Sequence, residues 1–294
     1  MKKKVIDSVD VESIKKEISL LASIGYGTSG DGNELYITDA HKSPNIMREI
    51  GRLRELSFRA MGAGTGKSLD IDDYDTSEHP FGQLFVWDSI NEEITGAYRF
   101  AFMNDIVGES PTSYLFKFED KFEEKKSFTI ELGRSFVNFE ARQARYALYN
   151  LWDGLGYFMY TYPEIKYFFG KVTLYPNLLG EKMHLLLDFL EEMFPSDGSV
   201  LPKTPVIVKK TKYFSFNRGF KFNRGLLLKK FREGDRKRLP PLVDAYMKLT
   251  NTMKYLGATF NARFGNVVEG AILLTIADID KKTKLAHMKQ FLDK

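Results

Sequence analysis

The chain has 294 residues, 43% hydrophobic and 28% charged, with a formal net charge of +4. These are ordinary values for a soluble globular protein and exclude disorder, and so small an excess of positive charge does not by itself call for nucleic acid. Cysteine is absent, which excludes a disulfide scaffold, a zinc–thiolate site, an iron–sulfur cluster and a thiol nucleophile, and fits a reducing cytoplasm.

At roughly 150 residues per domain the length suggests about two units, although α/β enzymes of this size are often one. The opening Met1-Lys-Lys-Lys imitates a signal-peptide start, but the acidic stretch from Val5 to Glu12 follows where an apolar core is needed. The longest apolar run, Gly270 to Ala277, is far below the ~20 residues of a membrane span. Residues 9–22 read as a short amphipathic helix, followed by a Gly-rich turn at 25–32 and a strand at Glu34–Thr38. Ser43-Pro44 reads as an N-cap with proline at the first helical position, and Ile46, Ile50, Leu53, Leu56 and Met61 repeat at helical spacing, so 44–61 is a helix ended by Gly62–Gly66. Phe81–Trp87 and Ile94–Phe102 form a hairpin, and Ser127–Val137 is the next strand. Beyond it the pattern predicts a helix at Leu148–Tyr162, a strand at Tyr167–Tyr175 and a helix at Gly180–Phe194. Pro205–Lys210 reads as a strand, Leu242–Leu256 as a helix and Val267–Ile276 as a last strand. Helices alternate with strands while hairpins are also present, which predicts a mixed α/β (α+β) sheet and not a purely parallel one.

Charge is unevenly spread. Lys209 to Arg238 carries twelve basic residues against Glu233 and Asp235, interleaved with Tyr213, Phe214, Phe216, Phe220, Phe222 and Phe231. Such a segment on a slightly acidic body is an attachment surface for something anionic.

Several motifs mislead. Gly62-Ala-Gly-Thr-Gly-Lys-Ser68 imitates a phosphate loop, but the motif ending at Gly66-Lys67-Ser68 requires glycine where Met61 stands. A helix precedes it where a strand is needed, and acidic Asp70-Ile-Asp-Asp-Tyr-Asp75 follows where an anion should bind. The four histidines, His41, His79, His184 and His287, are isolated, so no metal site is expected. No Gly-x-Ser-x-Gly elbow exists to start a hydrolase triad.

Five short elements in fixed order carry more information. Arg54-x-x-x-Phe58 lies on a helix before Met61-Gly62, Asp72-x-x-Asp75 in the loop after it, Gly96-x-x-Arg99 on the second hairpin strand and Glu131-x-x-Arg134 on the next strand. Arg54 and Phe58, four apart, share one helix face. This order resembles the branch of the GCN5-related N-acyltransferase superfamily that holds the ornithine-lipid and glycine-lipid N-acyltransferases, sometimes labelled hemolysin-like, with the acyl-homoserine-lactone synthases as relatives. Leu151-Trp152-Asp-Gly154, Leu239-Pro-Pro-Leu to Tyr246, and Gly257 to Phe264 also resemble the lipid-forming branch.

The resemblance implies a mixed sheet whose central strands, Ser127–Val137 and Tyr167–Tyr175, splay apart, with helices on both faces and a C-terminal extension. The chain then divides into an N-terminal helix and turn (1–33), an acyltransferase core (34–210), the basic aromatic segment (211–240) and a C-terminal helix and strand packing on the core (241–294). The implied reaction moves a 3-hydroxy fatty acyl group from acyl carrier protein to an amino-acid amine, in amino-lipid synthesis in the cytoplasm or on the inner membrane face. No tightly bound cofactor is expected; the donor is an acyl carrier protein thioester or acyl-coenzyme A. The pyrophosphate loop of the superfamily, [RQ]-x-x-G-x-[GA], is here Arg142-Gln-Ala-Arg-Tyr-Ala147, with Arg145 in the glycine place. That is compatible with a carrier protein delivering the same phosphopantetheine arm.

Amide formation from a thioester needs a neutral amine, a place for its proton, oxyanion stabilisation and a hold on both substrates. Glu131 is the candidate base or amine-orienting carboxylate, with Arg134 beside it. Arg54 or Arg99 suits a carboxylate clamp, since arginine forks such groups bidentately. Phe58 lines the same face, and Asp72 and Asp75 attract the ammonium or brace the arginines. Phe136, Val137, Arg142 and Arg145 are expected at the donor arm, and Lys229, Lys230 and Arg232 where carrier or membrane docks. On a regular strand residues i and i+3 face opposite sides, so a shared pocket for Glu131 and Arg134 predicts a β-bulge between them. The alternatives are a signal synthase using S-adenosylmethionine, and a non-catalytic module binding membrane or nucleic acid; the long C-terminal extension and the six polar residues together favour the lipid acyltransferase.

Overall fold

In chain order the elements are α1 (Val11–Ile18), β1 (Gly25–Tyr26), β2 (Asn33–Thr38), α2 (Pro44–Ala60), α3 (Asp73–Thr76), β3 (Gly82–Asp88), β4 (Glu93–Phe102), β5 (Phe116–Phe118), α4 (Asp120–Lys126), β6 (Thr129–Val137), α5 (Ala144–Thr161), β7 (Tyr167–Leu174), α6 (Pro176–Leu179), α7 (Lys182–Met193), β8 (Val200–Pro202), α8 (Phe220–Arg232), α9 (Pro241–Leu249), β9 (Lys254–Asn261), β10 (Val267–Thr275) and α10 (Lys281–Leu292). This computed structural model describes residues 2–233 and 239–292; Asp235, Arg236, Lys237 and Arg238 of the basic stretch lie outside the described residues. The fold is mixed α/β and separates into two compact units, Met1–Gly108 with Ile130–Ile165 and Lys281–Lys294, and Glu109–Thr129 with Lys166–Asp280.

In the first unit β1, β2, β3, β4 and β6 pair in that order, each antiparallel to the next. Alternation along the strands separates two faces. Leu84 and Phe100 meet α5, where Gly154 leaves room for Leu84 and the Phe158 ring packs tilted against Phe100, their centres 4.6 Å apart. Gln83 lies on the opposite face, toward α2. The Trp152-Asp-Gly154 stretch ties distant chain segments to α5. Asp153 accepts from the Thr28 amide and hydroxyl at 2.8 Å each and lies 2.7 Å from His287 Nδ1 on α10.

In the second unit β7, β10 and β9 form an antiparallel sheet, and β5 pairs with β8. Asp188 on α7 accepts from the Thr211 amide at 2.8 Å, and Arg224 on α8 pairs with Asp244 on α9 at 2.6 Å, so the basic stretch is anchored to its own unit.

The structure corrects several expected boundaries. Ser43 occupies the N-cap position of α2, but its hydroxyl pairs with Thr38 Oγ1 at 2.7 Å. Glu17 of α1 accepts instead from the Asn45 and Ile46 amides at 2.9 and 2.8 Å. The carboxylate thus satisfies the free N–H groups of that helix end. Helix 9–22 is only Val11–Ile18, α5 begins four residues before Leu148, and Ser127 caps α4 instead of opening a strand. Pro205–Lys210 is not a strand: it makes one bridge, Pro205 to Thr259, and proline offers no N–H to extend a ladder. The helix expected to reach Leu256 stops at Leu249, where the Thr250 hydroxyl accepts from the Thr252 amide at 3.1 Å and competes with helical bonding. The chain then enters β9, which apolar periodicity had merged with the helix.

Candidate active site

Helix α2 supplies the first members of a charged cluster. Arg54 is fully buried. Its Nη1 donates to both oxygens of Asp75 at 3.1 Å and to the Asp70 carbonyl at 3.3 Å, while Nη2 donates to Gln83 Oε1. Phe58, one turn on, is buried on the same helix. Gly62, at φ +89, then takes the left-handed turn that ends α2.

The loop that follows wraps an anion of its own. Glu55 accepts from the Thr65 amide and hydroxyl at 2.9 and 2.7 Å, the Gly66 amide at 2.8 Å and Arg59 Nε at 2.7 Å. Burial pushes the Glu55 carboxyl up, but Thr65, Arg59 and Gly66 outweigh it and hold it below its usual value. The phosphate-loop look-alike is therefore filled from within.

Asp72 and Asp75 form a capping box on α3: Asp72 Oδ1 accepts from the Tyr74 amide at 3.1 Å and Asp75 Oδ2 from the Asp72 amide at 3.1 Å. Strand β4 brings Arg99 against both, 2.6 Å from Asp72 and 3.2 Å from Asp75. The guanidinium also lies 5.5 Å from the Tyr74 ring centre and 5.6 Å from that of Phe81. Burial alone would raise the Asp75 carboxyl, but Arg54, Arg99 and the Asp72 amide hold it well below the carboxylate range. Burial lowers Arg54 despite Asp75, whereas for Arg99 the three aspartates overcome burial and raise it. Three guanidinium and three carboxylate groups (Arg54, Arg99, Arg134; Asp70, Asp72, Asp75) cancel formally. Such a cluster is strongly coupled, because losing one member strands a buried charge.

Register explains how the sheet joins in. Gln83 lies opposite Arg99, and Arg99 opposite Gly133. Ala101 lies opposite Glu131, so Arg99, Gln83, Glu131 and Gly133 share one face. Glu131 is buried, and a side chain at Gly133 would meet open space. The ladder is regular from Glu131 to Gly133 and then shifts: Ala97 pairs with Phe136, so Tyr98 faces two residues, Arg134 and Ser135. The bulge therefore sits at Arg134 itself and not between Glu131 and Arg134. Arg134 adopts φ +48, the left-handed region that costs a non-glycine residue of order 1 kcal/mol. Its guanidinium is re-aimed to lie 3.1 Å from Asp70 and 3.4 Å from Asp72. Gly96 permits this arrangement, since a Cβ there would sit 2.8 Å from the Phe136 carbonyl oxygen.

Arg54, Asp72, Asp75, Arg99 and Arg134 are thus brought into one network, with Glu131 on the same sheet face. Asp72 (27% exposed) and Arg134 (23%) form its outer edge. Sequence patterns missed Asp70, Gln83, Tyr74 and Phe81; the acid two residues before Asp72 was the available signal, whereas Gln83 has no motif and is found only through its register with Arg99. Asp70 is buried, and burial raises its carboxyl against the pull of Arg134, Arg54 and Arg99.

The donor-side residues lie at the other end of β6. Phe136 is buried, and the Val137 carbonyl accepts from Ser57 at 3.0 Å. Arg142 and Arg145 are exposed at the start of α5, whose N-cap Gln143 makes no capping bond and whose first turn holds no acid. On α8, within the second unit, Lys229 and Arg232 are exposed, whereas Lys230 pairs with Glu233 at 3.0 Å and lies 5.0 Å from the Tyr213 ring centre. Among the described residues, no group of three or more His, Asp or Glu is placed to hold a metal ion, and no helix is long and apolar enough to cross a membrane.

Comparison with known proteins supplies the context for this geometry. Residues 53–152 match the family model described as an acetyltransferase (GNAT) domain. A Bacteroides thetaiotaomicron protein named glycine N(alpha)-acyltransferase is 39% identical over 98% of this chain and 90% of its own length. A Phocaeicola vulgatus protein of the same name is 36% identical over 98% of this chain and 93% of its own. Among solved structures, FeeM, an N-acyl amino acid synthase from uncultured soil microbes, is 12% identical, covering 84% of this chain and 94% of its own, with a TM-score of 0.40.

Proposed function

We propose that this chain, which belongs to the GNAT family and is an N-acyltransferase, moves a fatty acyl group from a carrier-protein thioester to the amine of glycine. The observation that carries the chemistry is a buried carboxylate, Glu131, on the same sheet face as Arg99 and two residues from the open space at Gly133. The two relatives named for glycine support the acceptor.

In this reading glycine settles at the outer edge of the arginine–aspartate cluster. Its carboxylate pairs with Arg134, the most exposed of the three arginines, whose fork geometry suits that group. The ammonium is drawn toward Asp72 and passes a proton to Glu131, directly or through a water. The freed nitrogen attacks the thioester carbon, the tetrahedral intermediate releases its second N–H proton to solvent, the oxyanion collapses, the C–S bond breaks and the thiolate leaves as the thiol with the proton held by Glu131. Arg54, Asp75 and Gln83 act as the frame that keeps Arg99 and Asp72 in place.

The donor's phosphate lies near the start of α5, where the exposed cations of Arg142 and Arg145 and the positive helix end favour an anion, while the Arg142, Ala144 and Tyr146 amides are already bonded to Glu93 Oε1 and to the Ala141 and Gln143 carbonyls. Phe136 and Val137 line the approach of the arm. Lys229 and Arg232 on α8 offer exposed cations to an acidic carrier protein, or to the headgroups of a membrane that receives an N-acyl product. The test incubates the protein with acyl-loaded carrier or acyl-coenzyme A and each amino acid in turn, and reads product masses. N-acylglycine from carrier-bound donor supports the reading; transfer only to another amino acid, or none, overturns it. Pulldown on carrier and on anionic vesicles, with Lys229→Glu and Arg232→Glu, assigns the α8 surface.

A further inference from the structure

The segment from Lys209 to Arg232 of the second unit carries nine cations and no acid. Its phenylalanines are of two kinds. Phe214 and Phe220 turn inward: their ring centres lie 5.1 Å from Phe189 on α7 and 5.5 Å from Phe194 just after it. Phe216 and Phe222 turn outward and are 63% and 54% exposed. Two residues on from an inward ring, an extended chain faces the other side and a helix has turned by about 200°. Seating the first pair on α7 therefore projects the second.

That projection is fixed by hydrogen bonds. Asn223, buried on α8, donates to the Ser215 and Gly219 carbonyls at 2.7 and 2.8 Å and accepts from the Ser215 amide at 3.2 Å. The Phe216 amide donates to Glu192 of α7 at 2.9 Å. The turn at Phe216–Arg218 is thus pinned to both helices, and Arg218 lies 5.6 Å from the Phe222 ring centre. Charge follows the same face. Asn223, Leu227 and Phe231 are the buried residues of α8, whereas Lys221, Phe222, Gly225, Lys229 and Arg232 are exposed. At about 100° per residue those five fall within an arc of about 100° opposite the buried stripe. Lys210 is neutralised by Asp188 and Glu191, Arg224 by Asp244 and Lys230 by Glu233. Arg218, Lys221, Lys229 and Arg232 make no ion pair among the described residues.

We infer that this face rests on an anionic lipid bilayer, with the Phe216 and Phe222 rings at the boundary of headgroups and acyl chains and the four unpaired cations among the headgroups. The assignment deepens the acyl-transfer reading, which left α8 to either a carrier protein or a membrane, and it is measured without turnover. The cations complement lipid phosphates and an acidic carrier alike; the rings separate the two. Phe222 stands between Lys221 and Arg218, and Phe216 opens the turn that carries Arg218. A protein partner would need an apolar pocket for each ring set among its acids. A bilayer interface takes in a protruding ring without a matching shape, and rings bordered by cations are the pattern of a helix lying in that interface. One exposed phenylalanine needs no explanation; two, held rigidly on the unpaired cationic face, do.

The test floats the full chain with phosphatidylcholine vesicles and with the same vesicles containing phosphatidylglycerol. Wild type should bind the anionic vesicles at least about tenfold more tightly than the neutral ones, and less tightly as salt rises. Phe216→Ser with Phe222→Ser should lower the partition coefficient by about tenfold or more, and Arg218→Glu with Lys221→Glu should do the same. Phe216→Trp adds a reporter: Trp87 and Trp152 are buried, so lipid brominated in its tails should quench the new indole on binding. Wild type that ignores both vesicle types, serine variants that bind as wild type does, or an unquenched indole on bound protein each overturn the inference. So does loss of acyl carrier protein binding in the serine variants with vesicle binding unchanged, which assigns the face to a carrier. If wild type binds vesicles through these rings but makes no N-acylglycine, the bilayer contact stands and the proposed reaction falls. If it acylates glycine yet binds no vesicle, the reaction stands and the bilayer contact falls.

Discussion

Asp75 links helix α2 to strand β4: its carboxylate accepts from Arg54 Nη1 at 3.1 Å through both oxygens and lies 3.2 Å from Arg99 Nη1. Arg54 and Asp75 are both fully buried. Their attraction is offset by the cost of taking them out of water, so the pair defines a geometry more than it adds stability. Removing one partner is a different matter. Asp75→Asn should cost about 3–5 kcal/mol, since it leaves two guanidinium groups short of a counter-charge. The paired change Arg54→Met with Asp75→Leu should cost less than Asp75→Asn alone. Urea unfolding midpoints of the three proteins decide it; an Asp75→Asn protein as stable as wild type would mean that the cluster is not coupled.

Glu131 has a different signature. It is buried on a regular stretch of ladder, opposite Ala101 and beside Gly133. Glu131→Gln keeps the shape and removes the base. Turnover should fall by about a hundredfold or more, within the range of lost general-base catalysis, with little change in melting temperature. Retained turnover would exclude Glu131 as base and leave Asp72 to orient the amine.

Arg134 combines backbone strain with charge, and two substitutions separate them. Its φ of +48 suits glycine. Arg134→Gly should therefore be more stable than Arg134→Ala by about 1 kcal/mol. Both variants remove the group that faces Asp70 and Asp72, so both should raise KM for glycine alike. A larger KM effect for alanine than for glycine would mean that the bulge, and not the guanidinium, governs acceptor binding.

The site was more legible in sequence than its geometry. Arg54, Asp72, Asp75, Arg99 and Arg134 converge as their fixed order along helix, loop and strands implied. Parity showed that Glu131 and Arg134 could not share a regular strand, yet could not say which residue carries the bulge; that depends on the Gly96 contact with Phe136 across the sheet. Gln83 and Asp70 went unread because their roles come from register and burial, neither of which has a motif. The β9 strand was hidden for a local reason, since the apolar spacing of α9 runs on past Thr250 while its backbone does not. Helix α8 was lost in a segment read for its charge, although Leu227 and Phe231, four apart, are its buried stripe.

The glycine-rich loop after α2 offers a test with a defined pH sign. Glu55 is held below its ordinary value of 4.5 in the folded protein because, against burial, Thr65, Arg59 and Gly66 all favour its charged form. A carboxyl lowered on folding contributes stability above its unfolded value and loses it as pH falls through the lower folded value. Glu55→Gln lacks that contribution. The gap in unfolding free energy between wild type and variant should be widest above about pH 5 and shrink steadily as pH falls below about 4.5. Urea midpoints measured across that interval give the gap directly. A gap that stays constant into strong acid would mean that the loop bonds the neutral side chain as well as the carboxylate. Inorganic phosphate should leave the wild-type midpoint unchanged at neutral pH, because the N–H groups a phosphate would need already point at Glu55.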